Sequence, residues 1–252
     1  MDKDTGNLIN RLKELSNKSD MQGVYTFTPF LNLSEQSVFH SMEKELSYAG
    51  YSVYGGYDDS ERNIIRFGNE EAFGYLTDFP IKCIRISPLQ PKFADELNHR
   101  DFLGSLMNLG IDRGTLGDII VKEKEAYLFC LDSIGDYIID NLVKVKHTNV
   151  KCEYAEGTFE ALKKELKEVR ITANSVRLDG LISKVYNISR NECIELFREG
   201  RVFVNSRLCE SNAKALKGGE VINVRGFGKF IFDGEAGETR KGKLACSIRI
   251  YE

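Results

Sequence analysis

The sequence predicts an α+β fold, and three features along the chain support this class. In the first 80 residues, segments with helical periodicity are followed by alternating, strand-like segments, which indicates an N-terminal α/β section. The next stretch orders its elements β-α-β-β-α-β, a split βαβ pattern. The end of the chain predicts two short helices followed by strands. We therefore expect three domains, at residues 1–80, 81–170 and 171–252.

The N-terminal section is predicted to contain two helices and a pair of strands. The strands flank a turn, residues 55–62, that is rich in glycine and acidic residues. The predicted elements are a short helix marked by Leu8, Leu12 and Leu15, a helix that starts near Leu33 or Ser34 and ends before Gly50, and strands at 51–54 and 63–67.

The central section carries the β-α-β-β-α-β order. Its predicted elements are strand 81–86, helix 101–109, strands 118–121 and 126–131, helix 134–143 and strand 150–154. RNA-recognition-motif domains share this order, and their sheets bind RNA through exposed aromatic side chains. We find no clear aromatic signature on these strands, so an inert sheet is at least as well supported as a binding one. Lys and Glu at helical spacing in residues 156–170 then predict a solvated connecting helix.

Caps and apolar patterns define the elements of the C-terminal section. Ser189 followed by Glu192 is typical of a capping box at the start of a helix. Gly200 lies where a left-handed C-cap is expected. The remaining signals predict, in order, a strand at 169–172, a cap at Asn174 or Ser175, a helix from Val176 with the apolar stripe Leu178, Leu181, Ile182 and Val185, and a strand with Val202 and Val204.

Composition argues against several classes of protein. The 42% apolar content supports packed cores, and no apolar run approaches the roughly 18 residues that indicate a membrane span. The N-terminus lacks the features of a secretion signal, so we expect a cytoplasmic protein. The six cysteines lie singly and mostly within apolar patterns, which predicts buried free thiols rather than metal ligands or disulfides. We expect neither a metal nor a cofactor.

Two motifs resemble catalytic sequences but are incomplete. His99-Arg-Asp101 is similar to the catalytic loop of protein kinases, but position 106 is Leu where that loop needs a metal-binding Asn. Asp101 is instead expected to cap a helix beginning at Phe102. Arg177-Leu-Asp179 is similar to a stretch of pseudouridine synthases, which need a longer domain downstream. Asp179 is instead expected to cap its own helix or to pair with a nearby basic side chain. We predict no catalytic residue, and hence no enzyme.

Charge is distributed unevenly along the chain and points to a phosphate-binding surface. Residues 176–252 contain 14 Lys or Arg against 10 Asp or Glu, whereas residues 1–175 contain 21 against 28. A polyanion would therefore meet the C-terminal end. Arg177 and Lys184 are seven positions apart, which places them about 20° apart on one helix. Arg190 begins the next helix, where the helix dipole favours phosphate.

Solvated surface charge is the alternative for each of these residues taken singly. Their placement on one side of the predicted helix pair favours a shared binding surface. The predicted surface residues are Arg177, Lys184, Ser189, Arg190, Arg201, Asn205, Arg207, Arg225 and Lys229.

Two resemblances follow from the residues. The C-terminal section resembles the S-four RNA-binding domain in the order and spacing of Arg177-Leu-Asp179, Ser189-Arg190, Gly200, Val202-x-Val204-Asn205 and Gly219-Glu-x-Ile222. In that domain two helices carry the RNA-contacting face and pack on a small antiparallel sheet. Nearly the full chain resembles the YlmH family of bacteria through Gly55-Gly-Tyr-x-x-Ser-Glu-Arg62, His99-Arg-Asp-Phe-Leu-Gly104, Leu109-Gly-Ile111, Gly117-Asp-Ile-Ile-Val121 and Arg225-Gly-Phe-Gly-Lys-Phe230.

The YlmH resemblance implies a non-enzymatic RNA-binding protein that associates with the large ribosomal subunit. Its implied partners are ribosomal RNA and tRNA, and its implied role is ribosome quality control on subunits obstructed by peptidyl-tRNA. We expect a monomer with no membrane partner. Two alternatives remain open: an RNA-modifying enzyme whose catalytic part is residues 1–155, and an interaction scaffold linked to cell division.

Overall fold

The computed structural model describes residues 3–46, 50–157, 159–162, 165–239 and 242–251. The chain divides into two compact units. The first unit comprises Met1–Glu35 and Met42–Lys163, and the second comprises Gln36–Ser41 and Lys164–Glu252. Helices and antiparallel sheets make up both units, which confirms the predicted α+β class. The division into three domains stays a prediction.

The N-terminal section of the chain contains three described helices and a small antiparallel sheet of order β1-β3-β2. Residues 36–41, in the middle of the second helix, belong to the second unit, and the rest of this section belongs to the first. The first helix has 20 residues and is longer than the short helix we predicted. Its buried side chains are Leu12, Leu15, Ser16 and Ser19, so two polar residues extend the buried face beyond the apolar positions that the sequence pattern marked. The elements are α1 (Lys3–Gln22), β1 (Thr26–Phe27), α2 (Leu33–Leu46), β2 (Tyr51–Tyr54), β3 (Ile64–Phe67) and α3 (Glu70–Phe73).

The rest of the first unit has the predicted β-α-β-β-α-β order in an antiparallel sheet of order β5-β6-β4-β8-β7. Two helices cover one face of this sheet, where Phe102 of one helix and Ile138 of the other are buried in the same core as Ile84 and Leu128. The elements are β4 (Ile81–Pro88), α4 (His99–Asn108), β5 (Leu116–Lys122), β6 (Glu125–Leu131), α5 (Asp132–Asn141), β7 (Lys144–Val145) and β8 (Thr148–Tyr154).

The start of α4 corrects one sequence expectation. The N-cap is Asn98, whose side chain accepts a hydrogen bond from the backbone N–H of Arg100 at 2.9 Å. Asp101 is the third helical residue, and its carboxylate accepts from the backbone N–H of Asn98 at 2.9 Å. Our placement of Asp101 as the cap before Phe102 was therefore wrong, because Asp101 supplies the returning half of a capping box.

The second face of the central sheet is covered by the N-terminal part of the same unit. Phe129 of β6 is fully buried and stacks on Tyr57, with ring centroids 5.0 Å apart. The loop that carries Tyr57 is tied down by Asp118, whose carboxylate accepts from the Tyr57 hydroxyl at 2.9 Å and from the backbone N–H of Glu61 at 2.7 Å. This part of the sheet face is therefore closed to the base stacking that an RNA-recognition motif uses.

Arg62 of the same loop joins three backbone segments. Its guanidinium donates to the carbonyl oxygens of Leu116 at 2.9 Å, Phe30 at 2.8 Å and Arg113 at 3.1 Å. Burial lowers the pKa of Arg62, and nearby carboxylates, Glu35 first, act in the opposite direction. The motif Gly55-Gly-Tyr-x-x-Ser-Glu-Arg62, which carries much of the resemblance, thus has a structural role in this unit.

The predicted connecting helix over 156–170 was wrong. The structure has a short 3₁₀ turn at Phe159–Leu162 and a strand, β9 (Leu166–Ala173), in its place. β9 pairs with β14 over its whole length, from Leu166 opposite Tyr251 to Ala173 opposite Leu244. Pairing with a strand about 80 residues away overrides the local helical preference of Lys and Glu. Residues 158, 163 and 164 of this segment lie outside the described residues.

The second unit packs two helices on one face of an antiparallel sheet of order β11-β10-β12-β13-β14-β9. Leu181 and Phe197 of the helices share a buried core with Ile222, Phe230 and Ile248 of the strands. Besides β9, the elements are α6 (Leu178–Val185), α7 (Arg190–Arg198), β10 (Val202–Val204), β11 (Arg207–Leu208), β12 (Glu220–Val224), β13 (Gly228–Glu238) and β14 (Leu244–Tyr251).

Two predictions from composition can be compared with the structure. All six cysteines are buried and free, as predicted, and burial is the largest cause of the raised thiol pKa of each. Among the helices of the described ranges, none combines the length and apolarity needed to cross a bilayer.

Candidate nucleic-acid interface

The first helix of the second unit begins later than predicted. Arg177 is its N-cap, with extended backbone angles (φ −87°, ψ 139°), so the expected start at Val176 and a cap at Asn174 or Ser175 were wrong. The backbone N–H groups of Leu178 and Asp179 donate to the carbonyl oxygens of Lys214 and Asn212, which satisfies the helix start without a side-chain cap. Because Arg177 precedes the helix, the seven-residue spacing does not determine its position relative to Lys184.

Arg177 is engaged by its own chain. Its Nε and Nη2 donate to the two carboxylate oxygens of Asp179 at 3.2 and 3.0 Å, and this pairing raises the pKa of Arg177. Asp179 is only 8% exposed and also accepts from the backbone N–H of Gly180 at 2.8 Å. The expectation that Asp179 pairs with a nearby basic side chain is confirmed. The ion pair offsets the charge that Arg177 would present to a phosphate.

Lys184 and Arg190, unlike Arg177, are not engaged by a carboxylate of the described chain. Both side chains are exposed, and within the described part of the chain no ion pair involves either of them. Lys184 lies in the last turn of α6, and Arg190 is the first residue of α7. Both are thus available to bind an anion.

The predicted capping box at the start of α7 is present. Ser189 Oγ accepts from the backbone N–H of Glu192 at 3.2 Å, and Glu192 accepts from the backbone N–H of Ser189 at 2.8 Å. The backbone hydrogen bond from Ser189 lowers the pKa of Glu192. The Ser189 hydroxyl therefore has a structural role, while its part in RNA binding stays a prediction. At the other end of α7, Gly200 has the predicted left-handed conformation, φ 63°.

Arg201 and Arg225 meet at the hairpin between β12 and β13. Arg201 donates from Nε and Nη2 to the carbonyl oxygen of Arg225, at 3.0 and 2.6 Å, and its Nη1 pairs with Glu199 at 3.0 Å. The Arg225 guanidinium lies over the ring of Phe203, 5.0 Å from the centroid. Lys229 is placed in the same way, with its Nζ 4.5 Å from the ring centroid of Tyr251. Aromatic rings thus support the cations of this hairpin.

Asn205 and Arg207 belong to the tight turn after β10. Asn205 has a positive φ of 49°, and its side-chain oxygen accepts from the backbone N–H of Val221 at 2.9 Å. Arg207 donates to the carbonyl oxygen of His40, a residue of the same unit, at 2.8 Å. Both residues have structural contacts that the sequence pattern did not reveal.

Sequence reasoning missed the aromatic residues around the basic side chains. Phe227, 42% exposed, is the tip of the β12–β13 hairpin, and Tyr186 lies against it with ring centroids 5.4 Å apart. The sequence did contain a signal: Phe227 stands between Gly226 and Gly228, an unusual setting for an aromatic residue.

The first unit has a concave feature of opposite charge. A cleft of about 1080 Å³ is lined by aromatic rings, among them Tyr54, Phe79 and Phe129, and by the acidic residues Asp58 and Asp132. Carboxylates at such a cleft oppose the approach of a phosphate backbone. The basic residues of the second unit are therefore the stronger candidate for contact with nucleic acid.

The split βαβ order and the antiparallel sheets define an α+β protein whose second unit presents exposed basic side chains. A family model described as the putative RNA-binding domain in YlmH matches residues 75–158. Those residues therefore carry a YlmH-type domain, and the predicted resemblance to YlmH is confirmed. The assignment of the C-terminal section as an S-four domain stays a prediction.

The chain is also similar to two known proteins. The chain is 26% identical over 222 residues to "Ribosome-associated protein quality control protein P2" of Bacillus subtilis (strain 168), an alignment that covers 86% of this chain and 83% of that protein. A solved structure titled "Cell division protein ylmH from Streptococcus pneumoniae" aligns with a TM-score of 0.49 at 22% identity, over 62% of this chain and 93% of the other.

Proposed function

We propose that this protein associates with the large ribosomal subunit and binds structured RNA there, namely ribosomal RNA and tRNA. In this proposal it acts in quality control of subunits obstructed by peptidyl-tRNA. It acts as a cytoplasmic monomer and by binding alone, without catalysis. The YlmH-type domain at residues 75–158 and the quality-control relative from Bacillus subtilis support this proposal.

The observation that carries the proposal is that Lys184 and Arg190 are exposed and form no ion pair within the described residues. Most of the other predicted cations in the second unit have a carboxylate, a carbonyl oxygen or a ring as partner, whereas these two side chains have no ion pair within the described ranges. Binding an RNA phosphate would therefore not require an internal ion pair to break. Arg190 also lies at the N-terminus of α7, where the helix dipole favours an anion.

The expected mode of recognition is contact with the RNA backbone. In A-form RNA the base edges lie in a deep, narrow groove, so proteins recognise such helices through shape and phosphates. Lys184 and Arg190 supply the primary phosphate contacts in this proposal. Arg201, Arg225 and Lys229 supply further contacts from the hairpin, and Arg177 contributes less because Asp179 engages it.

Co-sedimentation with purified large subunits tests the proposal. We expect the double variant Lys184→Glu with Arg190→Glu to lose co-sedimentation, because it replaces two binding charges by two repulsive ones. The control is Arg198→Glu, which makes the same single charge reversal in α7 as Arg190→Glu, but at a residue that already pairs with Glu195. The single variant Arg190→Glu is measured beside it. Equal retention of the double variant and the wild type would contradict the assigned surface.

A further inference from the structure

The β12–β13 hairpin exposes an aromatic ring at its tip. Val224 and Gly228 are paired across the hairpin, and the backbone N–H of Phe227 donates to the carbonyl oxygen of Val224 at 2.9 Å. Phe227 therefore closes a tight turn, and 42% of its surface remains exposed. A polar residue would serve such a turn without exposing apolar surface to water.

The glycines on both sides of Phe227 are required by the local geometry. Gly226 has φ 85°, and a Cβ there would lie 2.4 Å from Nη2 of Arg201. Gly228 has φ 136°, which is also unfavourable for other residues. These two positions carry no side chain, so they leave the exposed part of the Phe227 ring uncovered.

The surroundings of the ring are aromatic and cationic. The guanidinium carbon of Arg201 lies 5.8 Å from the ring centroid, and Tyr186 packs against the ring at a tilt of 49°. The Tyr186 hydroxyl is buried, and among the described residues it has no hydrogen-bond partner. The ring is thus in contact with an aromatic and a cationic side chain, while 42% of the Phe227 surface stays exposed.

We propose that Phe227, supported by Tyr186 and Arg201, is a stacking subsite for one unpaired nucleobase of the bound RNA. Unstacked bases in bulges, loops and helix ends bind to aromatic rings in this way, and neighbouring arginines add cation–π attraction. The inference rests on the proposed RNA-binding function and refines it: the surface would prefer RNA with an unpaired base over a continuous duplex.

The first experiment measures binding by fluorescence anisotropy with two labelled RNA hairpins. They share the same stem sequence, the same stem end and the same compact tetraloop, whose bases stack within the loop, and they differ only in a single-nucleotide bulge; the hairpin without the bulge is the paired RNA. We expect Phe227→Ala and Phe227→Leu to bind the bulged RNA about tenfold more weakly, because base–aromatic stacking is lost. Phe227→Tyr, which keeps the ring, should bind like the wild type. The paired RNA should bind all four proteins with similar affinity, and the salt dependence should be unchanged.

The second experiment uses the absence of tryptophan from the chain. Phe227→Trp introduces a single indole, whose emission should be quenched by the bulged RNA and much less by the paired RNA. Phe93→Trp, at a phenylalanine that is 83% exposed in the first unit, is the matched control for non-specific quenching.

The outcomes separate this inference from the function on which it rests. A wild type that binds neither RNA would overturn both. A wild type that binds RNA while Phe227→Ala retains full affinity for the bulged hairpin would overturn the subsite alone. A loss for Phe227→Ala that is equal on both RNAs and accompanied by a lower melting temperature would also overturn it, because the ring would then act only in packing.

Discussion

Single residues of the first unit show how closely the backbone approaches the side chains of the central sheet. Gly56 has φ 103°, and a Cβ at this position would lie 2.2 Å from Cδ1 of Phe129. Phe129 cannot move away easily, because Tyr57 and Phe159 pack against its ring with centroids 5.0 and 5.3 Å away. Glycine is thus required at position 56 for two reasons: the backbone has a positive φ, and a Cβ would overlap the Phe129 ring.

Substitution of Gly56 should therefore be costly. We expect Gly56→Ala to lower the free energy of unfolding by about 3 kcal/mol, from an unfavourable φ and from overpacking. Gly23→Ala is the matched control, since Gly23 also has a positive φ, 62°, but nothing lies within 4 Å of its Cβ position. That control should lose only about 1 kcal/mol. Urea denaturation measures both, and equal losses would contradict the packing argument.

At the scale of elements, reciprocal capping boxes begin several of the described helices, α4 and α7 among them. Asn98 and Asp101 form the box of α4, and Ser189 and Glu192 form the box of α7. In both boxes the returning carboxylate accepts a backbone hydrogen bond, which lowers the pKa of Asp101 and of Glu192. The box of α7 also determines where Arg190 lies, so the cap supports the candidate interface.

The box of α7 should make stability depend on pH. Because the folded protein holds the pKa of Glu192 below its ordinary value of 4.5, the ionised carboxylate stabilises the fold above that pH. This stabilisation is lost as the pH falls through the pKa of the folded protein. We expect the denaturation midpoints of wild type and Glu192→Gln to differ at neutral pH and to converge below pH 4.5.

The comparison needs a control in the same helix. Glu195→Gln removes a carboxylate of α7 that lies outside the box and pairs with Arg198 on the surface. If Glu192→Gln and Glu195→Gln showed the same dependence on pH, the cap would not be the cause.

At the scale of the whole molecule, charge distinguishes the two ends of the chain. Residues 176–252 carry an excess of basic residues, and residues 1–175 an excess of acidic residues. Phosphate binding by the basic end would release counterions from RNA, so the affinity should fall steeply with added salt. If about four phosphates are neutralised, the affinity should drop about a hundredfold between 50 and 200 mM salt.

The slope of this salt dependence offers a second measurement of the interface. Plots of log affinity against log salt concentration should be linear for the wild type. Lys184→Ala with Arg190→Ala should reduce the slope by about two, one for each lost phosphate contact. An unchanged slope would mean that these side chains do not contact phosphate.

Local signals in the sequence were enough to predict much of the fold. The capping box at Ser189 and Glu192, the left-handed Gly200 and the strand at Val202–Val204 are all present as predicted. Each depends on residues within a few positions of one another. The β-α-β-β-α-β order was likewise readable from periodicity, although the predicted bounds differ from the observed ones by a few residues.

The candidate site was less predictable because its contacts are not local. The helix that contains Lys184 begins at Leu178, where the carbonyl oxygens of Lys214 and Asn212 accept its first hydrogen bonds. The stacking of Arg225 on Phe203 and the exposure of Phe227 each depend on how side chains and hairpins pack. The spacing of charges alone gave no information about these partners.

By itself, the sequence determined the α+β class, the order of most elements, the buried state of the cysteines and the basic character of the C-terminal end. Only the tertiary structure decided that residues 166–173 form a strand, that Phe129 is covered, and which cations lack an internal ion pair. The physical reason is the range of the interactions. Caps and periodicity act over one or two turns, whereas strand pairing and burial join residues that are far apart in the chain.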